Sequence, residues 1–369
     1  MSNLIAQIAS DDVIDQAYQW LCRSRAHYHF NGDVWSLRRW WGEKKPRLQK
    51  QLLAGQYRFR ELRLIRGKER TIEWWCSMDA LVFKAISLVL TPTLRPHLSD
   101  RCFHLAGTGG LKGAVREVAG HLREHKFVFR TDVKGYYASI NHDILFGMLT
   151  EYIKDDIVLD LLWQYLKRFV CDDCLYTSIQ QGISLGCPLS PLMGALYLKP
   201  LDERLATLSG GDGGCFYARY MDDWVVLAPS RWKLREAIKA VNQVMEDLLV
   251  EKHPDKTYIG RISRGFDFLG YRFGADGLGV ALQTVERCLV KVVRLYEQGA
   301  SVERIGCYLS HWFRWVKGGV SSLGGEGFLG FRFFLFFDFL YRCFNKQHLS
   351  HLFHTLSFFL FRNFSRANR

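Results

Sequence analysis

A chain of 369 residues is long enough for a large core divided into two or three subdomains, and 48% hydrophobic with 24% charged residues makes it globular, not disordered. The formal charge of +13 exceeds what solubility needs and implies an anionic partner, most simply a nucleic-acid backbone. Ten cysteines without regular spacing, and no charged-then-apolar leader, speak against a disulfide scaffold; reduced thiols in the cytoplasm are expected.

Apolar spacing predicts a helix over 11–23, with Ile14, Ala17, Tyr18 and Leu21 on one side. A basic, aromatic stretch follows, including Trp35, Arg38, Arg39, Trp40 and Trp41. Residues 57–64 alternate like a strand, Arg66 to Arg70 read as a basic turn, and 71–75 as the returning strand. Such a tip either lies over phosphates or is a solvated turn. Helical spacing recurs over 79–90. A glycine-rich turn at 107–113 lacks phosphate-loop spacing and precedes a helix over 114–124. Cys171 and Cys174 form a C-x-x-C pair with no second pair at zinc-site spacing, so no metal is expected there.

Phe127-Val128-Phe129-Arg130-Thr131-Asp132 reads as a short buried strand ending in a carboxylate. Tyr220-Met221-Asp222-Asp223 carries two more, with Arg219 before it and the apolar run Trp224 to Ala228 after it. Adjacent aspartates in an apolar β setting repel each other and lose water. A divalent cation that prefers carboxylate oxygens would neutralise them; a plain hairpin turn is the alternative. If the two strands are neighbours, Asp132 and Asp222 would hold two cations about 4 Å apart, as two-metal phosphoryl transfer requires. Beyond them lie a helix over 234–249, a basic segment at 251–257, an aromatic-Leu-Gly turn within 265–271, and helices over 284–298 and 302–315. In the phenylalanine-rich tail at 328–364, Arg332 and Asp338 interrupt an apolar run too short for a membrane span; a helix buried against the preceding helices or another subunit is expected, with a membrane-surface helix as the alternative.

These motifs, in this order and spacing, resemble those of reverse transcriptases, in particular bacterial group II intron-type and retron-type enzymes, from Tyr57 to Phe273 and more loosely beyond. The resemblance rests on Asp132 with Tyr137, on Gly182-Ile183-Ser184-Leu185-Gly186-Cys187-Pro188-Leu189-Ser190-Pro191, on Tyr220 to Asp223, on Lys256, and on Gly265 to Tyr271. It implies an α+β right-hand polymerase. The N-terminal region and fingers would span 1–125. A palm of antiparallel sheet and helices, with interleaved fingers elements, would span 126–275. The helical thumb would span 276–325 and the phenylalanine-rich extension 326–369.

The activity implied is RNA-directed DNA polymerisation, a nucleotidyl transfer. Asp132, Asp222 and Asp223, with Val133 beside the first, would hold Mg²⁺ (or Mn²⁺). Asp222 would be the direct ligand, with Asp223 turned away from it in an extended segment. Tyr137 would lie under the sugar and reject a 2′-hydroxyl. Leu185, Gly186, Ser190 and Pro191 would cradle the nucleotide and template base, with Ser190 capping the helix that Pro191 begins. Arg70, with Arg66 and Lys68, would contact the triphosphate. Lys256 would protonate the leaving pyrophosphate, and Phe268, Leu269 and Gly270 would form the primer grip.

One departure stands out: Leu185 occupies the place of the family's usual glutamine, which bears on substrate handling or fidelity but not on the metal chemistry. No H-N-H nuclease, ribonuclease H or integrase-like acidic set is visible. A stand-alone enzyme is therefore expected, working on a dedicated structured non-coding RNA, with dNTPs and a DNA product as further partners and no membrane span. A homo-oligomer or a partner protein is left open. Among stand-alone relatives the reading leans to anti-phage defence enzymes. A maturase-like RNA-binding protein and an RNA-directed RNA polymerase are the alternatives. The intact carboxylates speak against the first, and Tyr137 with Ser190-Pro191 against the second.

Overall fold

In the computed structural model, residues 3–66, 71–172, 175–210, 214–274 and 277–320 are described. Helices α1 (Leu4–Ile8), α2 (Asp11–Ser24), α3 (Asp33–Arg39) and α4 (Trp41–Leu53) open the chain. The Ser10 hydroxyl accepts the Val13 N–H, and Asp11 and Asp12 occupy the first turn, so α2 starts where the sequence predicts and buries Ile14, Ala17 and Leu21. Strands β1 (Leu62–Arg66) and β2 (Thr71–Trp74) form the expected hairpin; its tip, with Lys68 and Arg70, lies outside the described residues. The strand expected from 57 begins only at Leu62. The Asp79 and Gln164 side chains take the backbone N–H groups of Arg60 and Phe59, at 3.0 and 3.2 Å, that a ladder would otherwise use.

Helix α5 (Ser77–Leu94) carries apolar residues on every side. With the turn to His97 it is long and apolar enough to cross a membrane, but most of it is buried here, against α1, α2 and α3. Helix α6 (Gly110–Gly120) begins inside the glycine run that reads as a turn. Gly109 takes a left-handed φ of 85°, and a Cβ on Gly113 would stand 3.0 Å from the Thr108 carbonyl, so the chain bends tightly and straight into the helix.

Strand β3 (Phe127–Asp132) has the predicted bounds, and α7 (Tyr136–Ser139), α8 (His142–Tyr152) and α9 (Asp156–Leu166) follow. Strands β4 (Phe169–Asp172) and β5 (Leu175–Ser178) join the first hairpin in a sheet ordered β2-β1-β4-β5. Cys171 is a free thiol in β4, and Cys174 lies outside the described residues. Helices α10 (Ser190–Tyr197) and α11 (Lys199–Leu208) lead to β6 (Phe216–Tyr220), β7 (Asp223–Ala228), α12 (Arg231–Asp247) and β8 (Tyr258–Arg261). A small antiparallel sheet of β9 (Phe266–Phe268), β10 (Tyr271–Gly274) and β11 (Gly277–Val280) precedes α13 (Leu282–Glu297) and α14 (Val302–Val320). The phenylalanine-rich tail lies outside the described residues.

The central sheet, ordered β6-β7-β3-β8, is antiparallel throughout. Because side chains alternate along a strand, its register fixes two faces. Phe129, Trp224, Val226, Ala228 and Tyr217 belong to the large core shared with the helices, including α10, α11 and α12. Val128, Val225, Leu227, Ala218 and Phe216 face the other way, into a second core built by α6 and the β9–β11 sheet. Each fully buried Phe, Val or Leu contributes about 1.5–3 kcal/mol to this two-sided packing. At one end of the second face the alternation continues through Tyr220, Asp223 and Asp132. Helices α13 and α14 pair through Cys288, Val292 and Leu295 against Ile305, Leu309 and Phe313, and Trp315 stacks on Tyr271 at 4.9 Å. Arg287, Lys291 and Arg294 lie on the exposed side of α13.

Candidate active site

Strand β3 ends and β7 begins with a carboxylate, and the ladder sets Asp132 directly opposite Asp223. Side chains so paired project from the same face. Asp222 lies in the two-residue turn, Met221-Asp222, that closes the β6–β7 hairpin at Tyr220↔Asp223. This corrects the expectation of an extended Asp222–Asp223 segment with Asp223 turned away. The alternation argument fails because the turn intervenes, and Asp223 is the carboxylate that faces Asp132 across the ladder.

Met221 adopts φ 56°, a left-handed conformation that two-residue hairpin turns usually assign to Asn, Asp or Gly. It costs a non-glycine residue about 1–2 kcal/mol. Two side chains hold it: His104 Nδ1 accepts the Met221 N–H at 3.0 Å, and Arg219 Nη1 donates to the Met221 carbonyl at 2.8 Å. The Arg219 side chain is fully buried and paired with Asp202, with Nε donating to Asp202 Oδ1 at 2.8 Å. Burial pulls the guanidinium pKa down, but the opposing pull of the Asp202 carboxylate raises it overall.

Asp132 is 6% exposed. Among the described residues its Oδ1 is buried without a hydrogen-bond partner, while the Lys256 ammonium pairs with Oδ2. Burial pushes the Asp223 carboxyl up to about 7; Arg130 opposes the shift, and Asp132 and Asp222 add to it. Burial also raises Asp222, with Asp132 contributing, against a backbone hydrogen bond, Lys256 and Arg219. Burial and neighbouring carboxylates thus make full ionisation of the cluster costly.

An orphaned buried carboxylate oxygen and two carboxyls raised by burial and by neighbouring carboxylates fit a divalent cation. Val133 is buried beside Asp132 and offers a backbone oxygen only. Among the described residues no group of three His, Cys, Asp or Glu side chains forms a ready-made metal cage.

A pH dependence follows. Between the ordinary carboxyl value of 3.8 and about 7, the folded protein holds a proton on Asp223 that the unfolded chain has lost. Stability therefore falls as pH rises through that window. Urea denaturation in chelator is expected to show this negative slope, and Asp223→Asn is expected to flatten it. A slope unchanged in the variant would remove Asp223 as its source.

The neighbouring pocket is organised by close backbone approach. Gly182, at φ 86°, lies so near α7 that a Cβ would stand 2.9 Å from the Tyr137 and Ala138 carbonyl oxygens, and the Ile183 N–H donates to the Tyr137 carbonyl at 2.7 Å. Gly194 of α10 leaves room for the rings of Tyr136 and Tyr137, each 3.1 Å from where its Cβ would be. Burial pushes the Tyr137 hydroxyl up to about 12, with the Asp222 charge adding to the shift. Strand β2 and its continuation dock on the loop: Glu73 accepts the Leu185 N–H at 3.0 Å and Trp75 Nε1 donates to the Ser184 hydroxyl at 2.8 Å. The Leu185 side chain is 56% exposed and Gly186 is exposed, so both lie on the rim.

Two expectations are corrected here. Ser190 does not cap α10: it is the first helical residue, preceded by Leu189, with no side-chain cap. Its fully buried hydroxyl bonds the Ser184 carbonyl at 2.5 Å and the Tyr165 hydroxyl at 2.7 Å, which takes it out of reach of a nucleotide. Pro191 stands at the second helical position, where no N–H is missed, and its carbonyl meets His104 Nε2 at 3.1 Å.

Arg66 pairs with Asp172 at 2.6 Å across β1 and β4, so its charge is shared within the fingers sheet; Lys68 and Arg70 lie outside the described residues. Lys256, expected near the leaving group, is on the Asp132 carboxylate. In the expected primer grip, Phe268 is a core residue, 1% exposed, and only the Leu269-Gly270 turn is presented. That turn needs positive φ at both positions, 49° and 82°, and a Cβ on Gly270 would stand 2.9 Å from the Trp315 ring of α14. Sequence reasoning missed His104, Glu73 and the Arg219–Asp202 pair. Arg219 was legible only as a basic neighbour of the aspartates, and His104 belongs to no motif.

An antiparallel sheet that gathers three carboxylates at one end, beside a loop-and-tyrosine pocket, with a fingers sheet and helical thumb around it, is the palm of a right-hand polymerase. The sequence profile of the family Reverse transcriptase (RNA-dependent DNA polymerase) matches residues 55–273. The chain belongs to that family and is a nucleotidyltransferase of the RNA-directed DNA polymerase class. It is also similar to Protein YkfC of Escherichia coli (strain K12), 24% identical over 265 residues that cover 61% of this chain and 70% of that protein.

Proposed function

We propose that the chain copies RNA into DNA by two-metal phosphoryl transfer at Asp132, Asp222 and Asp223. The observation that carries this is the ladder register that sets Asp132 opposite Asp223 beside the Asp222 turn, with one Asp132 oxygen buried and unpartnered. Mg²⁺ or Mn²⁺, when bound, supplies activation of the primer 3′-hydroxyl and stabilisation of the leaving pyrophosphate. The three carboxylates would hold the cations, and Lys256, which pairs with the Asp132 carboxylate in this structure, would give the leaving pyrophosphate its proton. Tyr137 forms the floor under the deoxyribose, and the Leu185-Gly186 rim meets the base pair. The Leu269-Gly270 turn meets the primer end.

In the Tyr137→Ala variant, ribonucleotide use is expected to rise by about 10²-fold relative to deoxynucleotide use, read from single-nucleotide incorporation with each substrate. Unchanged sugar selectivity would remove that assignment.

We further infer that the enzyme acts on a dedicated structured non-coding RNA, with anti-phage defence as its setting. The net charge of +13 supports the nucleic-acid partner. The test is to purify the chain with its bound RNA, supply dNTPs and Mg²⁺, and sequence both the RNA and any DNA made. DNA complementary to one enriched RNA is expected. Absence of DNA from RNA-loaded protein would contradict the polymerase reading, and DNA from many unrelated RNAs would contradict the dedicated template.

A further inference from the structure

His104 lies in the loop before α6, far in sequence from every motif residue, yet it joins two of them. Its Nδ1 accepts the N–H of Met221, inside the turn that carries Asp222, at 3.0 Å. Its Nε2 lies 3.1 Å from the carbonyl of Pro191, where α10 begins. The Cys102 thiol approaches Nδ1 at 3.4 Å, and the ring meets Tyr220 edge-on at 6.1 Å. A carbonyl only accepts and a backbone N–H only donates, so one tautomer satisfies both strong contacts: neutral imidazole with its proton on Nε2. Burial, with the nearby Arg219 charge, keeps the ring in that form by pushing its pKa down to about 4.

Arg219 makes a parallel tie from the other side, donating to the Met221 carbonyl at 2.8 Å and to the Ala195 carbonyl of α10 at 3.3 Å. Helix α10 also supplies Gly194, against which Tyr137 rests. One helix is therefore the common reference for the carboxylate turn, the nucleotide loop and the tyrosine floor.

We propose that His104 is a positioning residue for nucleotide transfer, fixing the Asp222 turn against the Pro191 end of the nucleotide loop through its two ring nitrogens. The inference rests on the polymerase reading and deepens it. Misplacement of a reacting group by about 1 Å costs roughly 10²-fold in rate, so a side chain that sets this spacing acts on catalysis without touching substrate.

The two nitrogens can be separated. Asparagine places an accepting oxygen near the Nδ1 position, and glutamine places a donating nitrogen near the Nε2 position. Steady-state incorporation of one dNTP on a primed RNA template is measured for the full chain and for His104→Asn, His104→Gln and His104→Ala. Mn²⁺ affinity by electron paramagnetic resonance and thermal melting are measured alongside. His104→Asn is expected to keep kcat and Mn²⁺ affinity and to raise KM for the dNTP about tenfold. His104→Gln is expected to keep KM and to lose kcat and Mn²⁺ affinity by a similar factor. His104→Ala is expected to lose both, by about 10²-fold in kcat/KM. Three variants equal to wild type, or three with the same loss of kcat and KM tracking a common fall in melting temperature, would overturn the proposal. Wild-type protein that extends no primer would overturn the polymerase reading instead, and the Mn²⁺ affinities would still decide the role of His104.

Discussion

Replacing Asp222 with alanine is expected to reduce nucleotide incorporation by about 10³-fold while leaving the melting temperature of the metal-free protein unchanged or raised. The two halves of this expectation share one cause. Asp222 sits in a turn whose backbone is held by His104 and Arg219. Its charge lies near Asp132 and Asp223, in surroundings that already push Asp223 up to about 7. Without a cation, removing it relieves repulsion and desolvation and gives up only the local bond between the carboxylate and its own backbone N–H. With a cation, it removes a ligand. Single-turnover primer extension and melting in chelator, run on the same preparations, read the two effects separately. A large fall in melting temperature that accounts for the lost activity would make Asp222 a structural residue and contradict the account.

Asp202→Ala is expected to do the reverse, damaging the fold first. Arg219 would remain fully buried with its charge uncompensated, at a cost of about 3–5 kcal/mol. A double variant, Asp202→Leu with Arg219→Met, removes both charges and is expected to recover much of that stability, because a buried ion pair is often replaceable by apolar side chains of similar volume. It is not expected to recover activity, since the Met221 carbonyl would still lack the donor that Arg219 provides. Urea denaturation and incorporation rates of the single and double variants test this. A double variant that regains both stability and activity would show that the pair serves the fold alone.

The comparison of these two sites shows what a sequence discloses. Strand β3 was legible to the residue because a short apolar run ending in a charge has no helical period, and α2 because its cap and apolar spacing agree. The aspartates were legible because adjacent carboxylates before an apolar strand demand an explanation. Their mutual orientation was not, because it depends on a long-range register that sets Asp132 against Asp223 and on a turn that takes Asp222 out of the alternation. Ser190 followed capping chemistry in the sequence but is used from inside, where its hydroxyl donates to the Ser184 carbonyl and meets the Tyr165 hydroxyl. The expected strand from 57 failed for a similar reason, with Asp79 and Gln164 taking its N–H groups. In each case a partner distant in sequence overrode a sound local rule. Leu185 is the opposite case. The departure was visible in the sequence, and the structure adds that the side chain stands on the rim of the pocket, tethered through its backbone to Glu73.

The proposed divalent-metal site at Asp132, Asp222 and Asp223 is put to the test by extending a DNA primer on an RNA template across a Mg²⁺ titration, with the wild-type chain beside Asp132→Asn. The account predicts no extension by wild type in chelator, a rate that rises with Mg²⁺ to saturation, and a variant that stays at background throughout. Extension in chelator, or an Asp132→Asn variant that follows the wild-type curve, would contradict it.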